Sequence, residues 1–121
     1  MIHQQTLRNR ISCSGVGLHG GVKVSLTLHP AAPNTGIIFY RSDVAQGEPR
    51  IAASFKNVVE SDLCTTVANA DGVKVSTIEH LMAALYGCGI DNALIEVDGP
   101  EIPIMDGSAA PFVFLIECAG I

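Results

Sequence analysis

The sequence predicts an α+β two-layer domain: a mostly antiparallel sheet of about five strands with two helices packed on one face. Three observations carry that expectation. Residues 22–28 alternate apolar and polar, which is the period of a strand with one wet face. Ile78, Leu81, Met82 and Leu85 recur at helical spacing, and so form one apolar helix face. A second, almost wholly apolar segment ends the chain over residues 109–119. With 121 residues, 48% hydrophobic and 16% charged, the chain is one folded domain rather than a disordered segment.

Taken in order, Gly15-Val-Gly-Leu-His-Gly20 matches G-x-G-x-x-G, but a dinucleotide site needs the last glycine to open a helix, and here a strand follows. The glycines therefore read as turn residues, and His19 as either a surface loop residue or one that the turn brings to a pocket. Val22, Val24, Leu26 and Leu28 form the firmest strand. After a turn cluster over residues 30–36, Ile37-Ile-Phe-Tyr40 reads as its antiparallel partner. Ile51, Ala53 and Phe55 alternate as a further strand. The pattern then weakens over residues 56–62, a candidate functional loop, and resumes as a strand over Leu63-Cys-Thr-Thr-Val-Ala68. Asp71-Gly72 turns the chain into Val73-Lys-Val75.

Ser76 with Glu79 three residues on spells a capping box at the start of a helix over residues 77–87, which Gly87-Cys-Gly89 ends. Two readings stand for Glu79 and His80. Either Glu79 closes the box and His80 is a partly buried histidine with a hydrogen-bond partner, or the two border a pocket at the helix mouth. A zincin helix is excluded, because the position four residues after His80 is Ala84. Any metal held by His80 takes its other ligands from elsewhere.

Ala93, Ile95 and Val97 share one face of a strand over residues 92–98. Gly99-Pro-Glu-Ile-Pro103 is a rigid connector. Ser108 is the expected N-cap of the second helix, with Pro111 tolerable in its first turn. That helix needs cover on several sides, partly from the first helix, whose Ala83, Ala84 and Gly87 permit close approach. Asp106, just ahead of it, is a turn former or a site residue favoured by exposed helix amides. An apolar helix at the very end of the sequence suggests a piece of a longer protein.

Charge and cysteines narrow the function classes. The formal net charge is −5 and the seven Lys and Arg are scattered, which argues against nucleic-acid binding. No apolar run is long enough to span a bilayer and residues 1–6 lack a signal-peptide pattern, so a cytoplasmic protein is expected. Cys13, Cys64, Cys88 and Cys118 contain no C-x-x-C pair, and reduced thiols are expected.

Four blocks, Gly15-Val-Gly-Leu-His19, Leu63-Cys-Thr65, Ser76-Thr-Ile-Glu-His80 and Ile102-Pro-Ile-Met-Asp-Gly-Ser108, together resemble the amino-terminal domain of the UDP-3-O-acyl-N-acetylglucosamine deacetylases. These are zinc hydrolases of the committed step of lipid A synthesis in Gram-negative bacteria. The resemblance runs through essentially the whole chain. It implies that His80 is one of three protein zinc ligands and that Glu79 is the general base. It also implies that Leu63, Cys64 and Thr65 belong to the loop framing the substrate pocket, with Asp106 and His19 near the site. The family's second domain, which supplies the other zinc ligands, is absent from these 121 residues. The chain alone is thus expected to be inactive, its partners being the carboxy-terminal domain and UDP-3-O-acyl-N-acetylglucosamine. The competing class is a non-catalytic α+β binding module that keeps the fold and the motif.

Overall fold

A computed structural model describes residues 3–59 and 64–121. The expected α+β class is found, with the strands divided between two sheets. The larger has five strands: β1 (Ile11–Val16), β2 (Lys23–Pro30), β3 (Ile37–Arg41), β4 (Arg50–Ala52) and β8 (Ala93–Val97), in the order β1-β2-β8-β3-β4. The smaller joins β5 (Val58–Val59), β6 (Thr66–Ala68) and β7 (Lys74–Ser76) as an antiparallel set. Two helices, α1 (Glu79–Gly87) and α2 (Ala110–Ala119), pack against each other, and α2 touches β1.

Alternation decides which face of the large sheet is buried. Leu26 pairs with Val97, Leu28 with Ile95, and Phe39 with both Ile95 and Ile51, so these side chains share one face. All are at most 1% exposed. They form one core with Leu81, Ala84 and Leu85 of α1 and Phe112, Ile116 and Ala119 of α2. On the other face Thr27, His29, Tyr40 and Glu96 stay partly exposed, with His29 Nε2 2.9 Å from Glu96 Oε1. Among the described residues no helix is long and apolar enough to cross a membrane, and none of the four cysteines is in a disulfide.

Several elements differ from the sequence expectation. β3 is not the hairpin partner of β2; β8 lies between them, antiparallel to β2 and parallel to β3. A strand apolar at every second position gains two ladders by lying in the middle, and that outweighs the local preference for pairing in sequence order. Gly15 is inside β1, not in a turn, and Val22 precedes β2 at 70% exposure. Phe55 is not in a strand: β4 stops at Ala52, and Phe55 starts a short 3-10 turn capped by Ser54. Of the three small residues expected at the helix interface only Ala84 is buried, whereas Ala83 and Gly87 are exposed. α2 is covered on one side only, since Phe114 is 65% exposed.

Candidate functional site

The helix mouth is built differently from a capping box. Ser76 is the last residue of β7, and its hydroxyl accepts from Thr66. α1 begins at Glu79, with Ile78 as N-cap and no side-chain cap bond. Between them Thr77 has φ 61°, in the left-handed region, and is 4% exposed. A β-branched residue there costs about 1–3 kcal/mol, so the surroundings must impose it. The second helix also starts otherwise than expected: its N-cap is Ala109, while Ser108 Oγ lies 3.3 Å from the Ala110 amide.

Freed from the cap, the Glu79 carboxylate accepts from the Thr65 amide, at 3.2 Å to Oε2 and 3.4 Å to Oε1. One shared amide leaves a carboxylate with further acceptor capacity. His80 follows, partly buried like Glu79. The loop before α2 brings Asp106 within electrostatic reach of His80. Met105, just before it, is also at positive φ, 57°. The Asp106 carboxyl is held below its usual range chiefly by the Ser108 hydroxyl, then by the Ser108 amide, with a smaller pull from His80. The turn-forming reading of Asp106 is the one found here: its Oδ1 closes a turn with Ser108.

His19 belongs to another cluster. Its ring Nδ1 is 2.9 Å from Glu101 Oε2, its amide donates to the same oxygen at 2.8 Å, and the Gly20 amide donates to Oε1 at 3.0 Å. Thr77 Oγ1 donates to Oε2 at 3.1 Å, so one carboxylate links the β1–β2 turn to the approach of α1. Gly17 makes this possible, because a Cβ there would fall on Glu101 Oε1 and within 3.0 Å of its Cδ. Of the residues expected to frame the substrate, Thr65 meets Glu79 and the Cys64 sulfur lies 3.7 Å from Thr66 Oγ1, while Leu63 lies outside the described residues. A cleft of about 250 Å³ beside Glu101 is lined by Gly17, Gly20, Val24 and Gly99, and neither Glu79 nor His80 lines it.

No local sequence pattern marks Thr77 or fixes a role for Glu101. A hint was present for Glu101: it is the one charge in the proline-bounded run Gly99-Pro-Glu-Ile-Pro-Ile104. At 7% exposure, burial pushes its carboxyl pKa up, but the His19 and Gly20 amides, the His19 ring and the Thr77 hydroxyl together bring it below the ordinary 4.5. A carboxyl depressed in the folded state stabilises above its unfolded pKa, and that stability is lost as pH falls through the folded value. Urea midpoints taken from neutral pH down through 4.5 should therefore decline, and Glu101→Gln should flatten part of that slope. An unchanged slope in the variant would refute the linkage.

The family model for UDP-3-O-acyl N-acetylglycosamine deacetylase matches residues 4–121. The chain is 56% identical over 123 residues to the UDP-3-O-acyl-N-acetylglucosamine deacetylase of Haemophilus influenzae (strain PittEE). It is 59% identical over 121 residues to that of Citrifermentans bemidjiense and 58% over 123 residues to that of Vibrio cholerae serotype O1. Each alignment takes in 100% of this chain but 39% of the relative, so the chain spans about two fifths of the length of these curated proteins. With a match over nearly all its residues, the chain belongs to the UDP-3-O-acyl N-acetylglycosamine deacetylase family.

Proposed function

We propose that these residues form the amino-terminal domain of an enzyme that removes the N-acetyl group from UDP-3-O-acyl-N-acetylglucosamine, the committed step of lipid A synthesis. The observation that carries this reading is an acceptor carboxylate, Glu79, next to an imidazole, His80, at the mouth of α1 in a chain of this family. A UDP-linked substrate suits a cytoplasmic site.

Zinc is the proposed cofactor, and the residues present fit it in part. The His80 imidazole is a suitable donor, yet among the described residues no group of three His, Cys, Asp or Glu could hold a metal. On this reading the other ligands come from the carboxy-terminal domain. When bound, zinc acidifies water and polarises the acetyl carbonyl. This chain's own contribution is proton transfer: Glu79 takes a proton from the attacking water and returns it to the amine nitrogen as the C–N bond breaks, releasing acetate. Thr65, which orients the Glu79 carboxylate, and the neighbouring Leu63 and Cys64 frame the substrate. Asp106 adds negative charge beside His80.

The experiment is zinc titration of the complete protein, its His80→Ala variant and the 121-residue chain. Tight binding is expected only for the first, because a single imidazole cannot replace three ligands. Nanomolar affinity in the isolated chain, or an undiminished one after His80→Ala, contradicts the shared site.

A further inference from the structure

Glu101 holds more of the molecule together than a connector residue needs to. Its carboxylate takes four hydrogen bonds, from two amides and a ring nitrogen of the β1–β2 turn and from the Thr77 hydroxyl. The backbone on either side is anchored as well. The Ser76 amide donates to Pro100 O at 2.8 Å, the Ile102 amide to Ser76 O at 3.0 Å, and the Ile104 amide to Val16 O at 3.0 Å. The segment is thus clamped between β7 and β1, with its one charged side chain buried.

Thr77 is what this clamp acts upon. It holds the left-handed conformation at φ 61° that an unconstrained threonine avoids, one residue before the N-cap of α1. If its backbone relaxed, the direction in which α1 leaves β7 would change, and Glu79 and His80 would move with the first turn. The His19 ring is governed from the same point. With Nδ1 against a carboxylate, the proton of the neutral ring is on Nδ1 and the acceptor is Nε2.

We propose that Glu101 is a positioning residue: its carboxylate holds Thr77 in the left-handed conformation from which α1 starts, and ties His19 to the same point, so that Glu79 and His80 are presented in one geometry. The proposal rests on the reading of Glu79 and His80 given above. It requires no contact of Glu101 with substrate. The effect is on rate more than on substrate affinity, since an error of about 1 Å in a reacting group can cost on the order of 10²-fold.

The test uses the complete, zinc-loaded protein with Thr77→Val, Thr77→Ser, Glu101→Gln and Glu79→Gln. Val keeps the shape of Thr without the hydroxyl, and Ser keeps the hydroxyl. We expect Thr77→Val to lower kcat about tenfold or more with KM changed less than about twofold, Thr77→Ser to stay within about twofold of wild type, and Glu101→Gln to lose at least as much kcat as Thr77→Val. Amide exchange reads the same effect without turnover. The amides of Ile78 and Met82, bonded to Thr65 O and Ile78 O, should exchange about tenfold faster in Thr77→Val but not in Thr77→Ser. Wild-type kcat and exchange in a folded Thr77→Val protein overturn the proposal, as do equal losses in the Val and Ser variants. Glu79→Gln separates the two readings. A normal rate there alongside slow Thr77→Val discards Glu79 as base and leaves Glu101 as positioning residue.

Discussion

In the complete protein, Glu79→Gln should lower the deacetylation rate by roughly 10²–10⁴-fold while leaving the urea midpoint almost unmoved. The rate falls because an amide cannot accept the proton that a carboxylate takes from water. Stability holds for a reason found in the tertiary structure. Glu79 closes no capping box; its carboxylate receives the Thr65 amide, and the carbonyl oxygen of Gln can receive it equally well. What remains is the charge at the α1 N-terminus, worth a few tenths of a kcal/mol. Glu79→Ala removes the acceptor altogether and should cost about 1 kcal/mol, since the Thr65 amide is then left to whatever water reaches it. Paired urea midpoints and deacetylation rates for wild type, Gln and Ala provide the check. A Gln variant that keeps both near wild type would show that the carboxylate only orders the Thr65 loop.

The opposite pattern is expected of Phe39→Ala, the largest stability loss foreseen for a single side chain of the sheet. Phe39 is 0% exposed on β3 and packs on the face shared with Ile95 and Ile51. Deleting a buried phenylalanine costs about 3–5 kcal/mol, transfer and cavity terms together. A domain stable by about 5–15 kcal/mol loses a large fraction of that. No group bonded to the Glu79 or Glu101 carboxylates is on β3, so the folded fraction should keep its kcat. Tyr86→Ala is the control: at 89% exposure its effect should be within about 0.5 kcal/mol. Should Phe39→Ala melt like wild type, the described core packing is wrong.

Local chemistry alone determined a good deal about this protein. Period-two alternation gave the buried faces of β2 and β8, and the spacing of Ile78, Leu81 and Leu85 gave the inward face of α1, because these patterns follow from backbone geometry within one element. The family was indicated in another way, by the resemblance of four short blocks taken together, of which Ser76-Thr-Ile-Glu-His80 and Ile102-Pro-Ile-Met-Asp-Gly-Ser108 are the specific pair.

What only the tertiary structure decided depends on partners far away in the chain. The insertion of β8 between β2 and β3 joins residues more than fifty positions apart, a pairing that no local pattern specifies. The capping box failed for the same reason. Ser76 was drawn into the small sheet by Thr66 and the Pro100 carbonyl, which left Thr77 to turn the chain at positive φ. Glu101 is not legible in the sequence because its value lies in four donors from residues 19, 20 and 77, and a buried carboxylate declares itself only when the groups that neutralise its desolvation are in place.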